Sequence, residues 1–370
     1  NYLTKIQFEH GALSLLPEEM AALAITRPLI VTDQGIRQAG ILDRVTPLLP
    51  DGVAVFDQTP PNPTETAVLA ALDQYRADGC DGVIAVGGGS SIDLAKGVAL
   101  LATHDGPLAQ YALVLGGLAL IKSQIAPLIV VPTTAGTGSE VGRGALLTLD
   151  DGRKLGFIAP PMIPDVAICD PELTLGLPAV LTAATGMDAL THCIETFISP
   201  KINPPADAIA LDGAARAWKW LEVAVADGSN RDARWHMMMA SLQGGMTFQK
   251  GLGAVHAMSH PLGGLKSPVL HHGTLNAVIL PAVLRYNRDH VGDKYQQLMQ
   301  AFGLPQEDDL AETIEGLNQR LGMPASLTEM GVPEAVLDDM AAAAVIDHST
   351  ASNPRPAVQA DYAALFAAAM

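Results

Sequence analysis

From Arg27 to about Asp170 the chain repeats one pattern: a short run of β-branched and aliphatic residues, then a longer stretch with apolar positions three and four apart. The short runs are Leu29-Ile30-Val31-Thr32, Val53-Ala54-Val55-Phe56, Val83-Ile84-Ala85-Val86 and Leu128-Ile129-Val130-Val131. Continuous apolar runs mark strands covered on both faces, and strands alternating with helices imply a parallel sheet. Helical spacing predicts crossover helices over Thr64–Asp78 and Ser91–Thr103. Beyond Pro178 the strand signal stops. Ala, Leu and Met recur there with helical period through the rest of the sequence, and Ala341–Ala344 reads as more helix. Gly176-Leu177-Pro178 is a hinge candidate, because Gly frees φ and Pro restricts the residue before it. The pattern predicts an α/β domain with a Rossmann-like parallel sheet over 1–177 and an all-α domain over 178–370.

Composition narrows the class. The 370 residues are 49% hydrophobic and 16% charged, the balance of a packed globular protein and not of a disordered one. Lys plus Arg is 22 against 39 for Asp plus Glu, a formal charge of −17, which repels a phosphate backbone and argues against nucleic acid as a partner. The longest apolar stretches, Ala109–Ile121 and Pro127–Val131, fall short of the roughly 18 residues a membrane span needs. The segment Asn1-Tyr2-Leu3-Thr4-Lys5 lacks the basic and then apolar regions of a secretory leader. Cys80, Cys169 and Cys193 are odd in number and far apart, as suits thiols in a reducing compartment, so a cytoplasmic location is expected.

Two constellations carry chemistry. In the first, Val83–Val86 runs into Gly87-Gly88-Gly89-Ser90 and a helix start, with Ser90 and Asp93 at the spacing of an N-terminal capping pair. Such a turn either cradles a pyrophosphate on free backbone N–H groups or is simply a tight strand-to-helix connection. It is not the GxGxxG fingerprint. Asp33, after the first strong strand, either hydrogen-bonds an adenosine ribose, favouring NAD over NADP, or caps a helix. The loop Pro132–Glu140 gathers hydroxyls and glycines, including Thr133, Thr134 and Thr137, as polar-ligand loops do.

The second constellation lies in the helical half. Asp188 and His192 are four apart, and so are His256 and His260, so each pair projects from one helix face; His271-His272-Gly273 follows. Five of the ten histidines fall in these segments. One carboxylate with several imidazoles suits a divalent first-row metal with positions left open for substrate. The alternative for any one pair alone is a satisfied core histidine.

Together these segments resemble the iron-containing (group III) alcohol dehydrogenase family. The landmarks are Gly87-Gly88-Gly89-Ser90 with Asp93 and Lys96, Pro132–Glu140, Gly186–Glu195, Gly251–Gly263 and His272-Gly273, spread over nearly the whole chain. The resemblance implies an N-terminal nucleotide-binding domain and a C-terminal helical domain. It implies Asp188, His192, His256 and His272 as ligands of a catalytic Fe²⁺, with Zn²⁺ able to use the same donors in vitro. His271 stands beside His272; the residue before the Gly is the family position. His260 matches a histidine beside the substrate, a proton relay or an orienting group. Asp33, Gly87, Gly88, Gly89, Ser90, Asp93, Thr133, Thr134 and Thr137 match NAD-binding segments, with Asn62 and Lys154 as further contacts.

Within the family, Phe248–Gly253, His271–Val278 and Asp347-His348 with Asn353-Pro354 look most like the bacterial 4-hydroxybutyrate dehydrogenases, which interconvert 4-hydroxybutyrate and succinic semialdehyde. A carboxylate on the substrate calls for a local cation in so acidic a chain. Arg143 and Lys250 are available, Arg143 alternatively pairing with Glu140 and Lys250 alternatively solvated, and His348 is a third lining candidate. Other small-molecule readings are reduction of lactaldehyde, 3-oxopropanoate, phosphonoacetaldehyde or a simple alkanal, or a lyase like dehydroquinate synthase. Thr4–Phe8 reads as a strand whose edge invites a second copy, so a homodimer or larger homo-oligomer is expected.

Overall fold

The computed structural model describes residues 4–370, so Asn1–Leu3 of the segment read for a secretory leader lie outside the described residues. The chain forms two compact units: one runs to Thr134 and resumes over Gly138–Gly176, and the other comprises Ala135–Thr137 and Leu177–Met370.

Among the described residues the first unit has eight strands: β1 (Lys5–Phe8), β2 (Pro28–Val31), β3 (Ala54–Phe56), β4 (Gly82–Gly87), β5 (Leu128–Pro132), β6 (Gly144–Thr148), β7 (Lys154–Ile158) and β8 (Val166–Cys169). Six of them form one parallel sheet in the order β1-β8-β5-β4-β2-β3. Strands β2, β4, β5 and β8 are buried along their whole length, as parallel strands covered on both faces must be. Leu29–Val31, Val83–Val86 and Leu128–Val131 are all fully inaccessible. From β2 the chain crosses to β3 on one side; from β4 it crosses to β5 on the other. The strand order therefore reverses between β2 and β4, and in such sheets ligands bind outside the carboxyl ends of the strands at that reversal. The loops leaving those two ends carry Asp33 and Gly87–Ser90.

The paired β6 and β7 form an antiparallel ribbon joined across Asp151-Gly152. The sequence reading did not anticipate it, although an Asp-Gly pair between short apolar runs is a hairpin signal. A buried lysine anchors this ribbon to the helix Gly89–Leu101. Lys96 Nζ donates to the carbonyls of Ser139, Gly142 and Gly144 at 2.7, 2.8 and 2.7 Å and to Ser139 Oγ at 2.9 Å. Burial pushes its ammonium down to about 8, opposed by the charges of Asp93 and Glu140.

The second unit is helical from Ala179 onward, with long helices Ala179–Ile198, Pro204–Ala226, Arg231–Met246 and His272–Asn287. The Ala179–Ile198 helix is its centre, buried from Thr182 to Ile198. Close approach to it is set by a missing side chain: a Cβ on Gly273 would lie 2.2 Å from the Ala184 carbonyl oxygen. Among the described residues no helix is long and apolar enough to cross a membrane.

Candidate metal centre

At the carboxyl end of β4, Gly87 has φ +156°, and a Cβ there would come within 2.5 Å of Ser91 Oγ. Gly88 is the N-cap residue of the Gly89–Leu101 helix and faces Thr134 Oγ1, 3.2 Å from where its Cβ would be. The anticipated Ser90–Asp93 capping pair does not form. Ser90 Oγ donates to the Pro61 carbonyl instead. Asp93 is half-buried and accepts from Ser139 Oγ at 2.6 Å and Leu146 N–H at 2.9 Å, so its carboxylate braces the hydroxyl loop and the ribbon. Asp33 caps the short helix Gln34–Gln38 through Ile36 N–H at 3.0 Å, while Ser91 Oγ donates to its other oxygen at 3.3 Å. Thr133 is buried, and its Oγ1 has no hydrogen-bond partner among the described residues. Lys154 Nζ donates to Asn62 Oδ1 at 2.9 Å, which brings two of the anticipated cofactor-side residues together. Thr137 falls in the short Ala135–Thr137 piece of the helical unit.

The helical unit gathers Asp188, His192, His256 and His272 so that one donor atom from each lies within 4.8 Å of all the others. Asp188 Oδ1 is 3.6 Å from His192 Nε2 and 3.8 Å from the Nε2 atoms of His256 and His272. Those separations are too long for hydrogen bonds. Two donors about 2.1 Å from a common tetrahedral ion stand about 3.4 Å apart, close to what is seen. Asp188, His192 and His256 are at most 3% exposed. His271 is exposed and precedes the helix that begins at His272, so His272 is the one that joins the cluster.

The ring nitrogens that face away from the cluster are held. His256 Nδ1 is 2.6 Å from Glu195 Oε2, and His192 Nδ1 is 3.1 Å from the Gly136 carbonyl. An Nδ1–H donated to each acceptor leaves Nε2 with its lone pair toward the cluster, the tautomer a metal ligand needs. Burial alone would raise the Asp188 carboxyl, yet the imidazoles of His192, His272 and His256 hold it well below the usual carboxylate range. Burial pushes His192 down to about 4 against the pull of Asp188, whereas the carboxylates of Glu195 and Asp188 overcome burial and lift His256 to about 9. This donor set, one carboxylate and three oriented imidazoles, fits a divalent first-row ion.

Three contributors escaped the sequence reading. Glu195 also accepts the Val255 N–H at 2.7 Å, so one carboxylate holds both the His256 ring and the first turn of its helix. Its signal was spacing, since Asp188, His192 and Glu195 at i, i+4 and i+7 share a face. Asn276, one turn beyond His272, donates from Nδ2 to Asp188 Oδ1 at 2.7 Å. That nitrogen also lies 3.1 and 3.2 Å from the Nε2 atoms of His256 and His272. Asp347 supports a second cluster with His260 and His348. Its Oδ2 is 2.9 Å from His260 Nδ1, its Oδ1 is 3.6 Å from His348 Nδ1, and it accepts Ser349 N–H at 2.8 Å.

Of the two cations expected to meet a substrate carboxylate, Lys250 is committed elsewhere. Lys250 is buried, ion-paired with Asp207, and 3.2 Å from the Phe197 carbonyl at the end of the Ala179–Ile198 helix. Its ammonium is thus neither solvated nor free for a ligand. Arg143 is exposed on the α/β unit just before β6, and the buried Glu140 has Lys96 as its charged neighbour.

Two family models cover nearly the whole chain: iron-containing alcohol dehydrogenase over residues 4–171, and the C-terminal model of the Fe-containing alcohol dehydrogenase family over 182–370. The sequence is 57% identical over 369 residues to a 4-hydroxybutyrate dehydrogenase of Cupriavidus necator, covering 98% of this chain and 97% of that one. It is 40% identical over 374 residues to a 1,3-propanediol dehydrogenase of Klebsiella pneumoniae, at 97% and 95% coverage. Among solved structures, a 1,3-propanediol oxidoreductase superimposes with a TM-score of 0.93 at 40% identity, covering 100% and 99% of the two chains. A sulfoacetaldehyde reductase from Bifidobacterium kashiwanohense in complex with NAD⁺ gives 0.89 at 30% identity, covering 100% and 97%.

Proposed function

This chain belongs to the iron-containing alcohol dehydrogenase family, and on that premise we propose that it interconverts 4-hydroxybutyrate and succinic semialdehyde with Fe²⁺ and NAD. The observation that carries the reading is the cluster of Asp188, His192, His256 and His272, with Nε2 of each imidazole turned inward by an acceptor at Nδ1 in two of the three. Those four residues would hold the metal, which when bound supplies a Lewis acid that makes a hydroxyl easier to deprotonate. NAD, the hydride carrier, is assigned to the α/β unit through Gly87–Ser90, Thr133, Thr134, Asn62 and Lys154. The 57% identity to the Cupriavidus necator enzyme supports the substrate.

The protein's own part in the reaction is positioning and proton handling. Glu195 and Gly136 hold two ligand rings in one tautomer. Asp347 accepts the Nδ1–H of His260, so Nε2 is the nitrogen left to take the hydroxyl proton on oxidation and return it on reduction. Asp93 keeps only a structural role, since both of its oxygens are engaged by Ser139 and Leu146. The three cysteines are all free thiols, which supports a cytoplasmic setting, and the β1 edge supports a homodimer, a state that sedimentation reads directly.

The deciding experiment is anaerobic NADH oxidation by Fe²⁺-reconstituted protein, comparing succinic semialdehyde with butanal, its near-isostere without the carboxylate. The expected result is a preference of about 100-fold in kcat/KM, or about 2.7 kcal/mol. Equal rates overturn the hydroxy-acid assignment and leave a reductase of simple alkanals.

A further inference from the structure

With Lys250 paired to Asp207, the helical unit must recognise an anionic substrate end with some other group. The rings beside the metal cluster offer one. His260 stacks on His272 with centroids 5.7 Å apart and planes 10° apart, and His348 stacks on His260 at 5.4 Å and 18°. The three near-parallel rings run from His272, a member of the metal cluster, through His260 to His348. The two end rings are the accessible ones: the side chains of His272 and His348 are 26% and 25% exposed, and that of His260 between them is 3% exposed.

His348 is also the ring with donor capacity to spare. His260 is committed to Asp347 at 2.9 Å, whereas the approach of His348 Nδ1 to the same carboxylate is 3.6 Å, beyond hydrogen-bond range. The length fits as well. Carbon–carbon bonds of about 1.5 Å put the hydroxyl oxygen and the carboxyl carbon of an extended 4-hydroxybutyrate about 5 Å apart, roughly one ring step of this column. A substrate with its hydroxyl end beside His260 therefore brings its carboxylate to His348. A shorter neutral alcohol leaves that ring untouched.

We infer that His348 is the residue that reads the carboxylate of the substrate, donating an imidazole N–H to it at the end of the His272–His260–His348 column away from the metal cluster. This rests on the hydroxy-acid reading and names the group that enforces it. A carboxylate left facing an apolar ring in place of that donor loses its partner while remaining partly desolvated, which is the situation in which single polar contacts discriminate most strongly.

The test compares His348→Phe, which keeps a stacking ring but removes the donor, with His348→Asn, which keeps a donor without the ring. For each, kcat and KM are measured with succinic semialdehyde and butanal, and inhibition constants with succinate and butyrate; bound metal is counted to show that the cluster is intact. The inference predicts that His348→Phe loses at least tenfold of the succinic semialdehyde preference, chiefly through KM. It also predicts that succinate ceases to inhibit better than butyrate and that His348→Asn recovers part of both effects. A wild-type-like preference in metal-loaded His348→Phe overturns the inference while leaving the hydroxy-acid reading intact. Absence of preference in the wild type overturns both. If His348→Phe does not fold, His348→Leu carries the same comparison.

Discussion

The helical unit holds two clusters of histidines around a carboxylate, and they differ in one distance. Around Asp188 three Nε2 atoms stand off at 3.6 to 3.8 Å, while Asp347 lies 2.9 Å from His260. The first spacing is that of donors around a shared ion, the second that of a hydrogen bond already made. Residue type alone does not separate them, for each is an acid with imidazoles. What separates them is where the other ring nitrogen goes. His256 and His192 spend Nδ1 on Glu195 and on the Gly136 carbonyl and turn Nε2 inward, whereas His260 spends Nδ1 on the cluster's own carboxylate. On the proposed function, one set holds a cation and the other steers a proton.

Substitutions can break that contrast, beginning with the largest expected effect. Asp188→Asn removes the only anionic donor of the metal cluster, so bound metal and turnover should fall together, activity by at least about a thousandfold. Asp347→Asn should leave the metal in place and lower kcat about tenfold to a hundredfold, because His260 loses the acceptor that fixes its tautomer. Steady-state kinetics alongside elemental analysis separates the two patterns. Glu195→Gln should weaken metal affinity about 10- to 100-fold, read by competition with a chelator, with little change in kcat once metal is saturating.

Lys250→Met sharpens the contrast from outside both clusters. It strips the partner from Asp207 and should cost about 2 kcal/mol of stability, seen in a denaturant titration, with the succinic semialdehyde preference unchanged. The smallest effect is on acid stability. Burial pushes His348 from 6.5 down to about 4, so between those values the unfolded chain binds a proton that the folded protein refuses. Stability therefore falls as pH drops through that window. His348→Asn should flatten the acid limb of melting temperature against pH, and an unchanged limb would show that another group causes it.

Much of this was legible in the sequence because it depends on period. Strand β4 reads as a continuous apolar run since both of its faces are covered, and the i, i+4 pairs announce shared helix faces by spacing alone. The choice between His271 and His272 depends on where a helix begins, and the close packing of Gly273 on Ala184 supplies the physical reason for that position. What could not be read is which polar groups find each other across the chain. Asp93 has the spacing of a capping residue yet turns to Ser139 and Leu146, some fifty residues on. Lys250 reads as either a substrate-side or a solvated cation yet lies buried on Asp207, and Glu195 and Asp347 gain their roles only when distant segments bring a ring nitrogen to them. Such partnerships are set by tertiary packing, which leaves no period behind.

The most direct single measurement is the metal content of Asp188→Asn and Asp347→Asn, purified side by side after anaerobic Fe²⁺ loading. The account predicts about one iron per chain in Asp347→Asn and almost none in Asp188→Asn. Iron retained by Asp188→Asn and lost from Asp347→Asn would contradict it, placing the ion in the cluster assigned here to the proton.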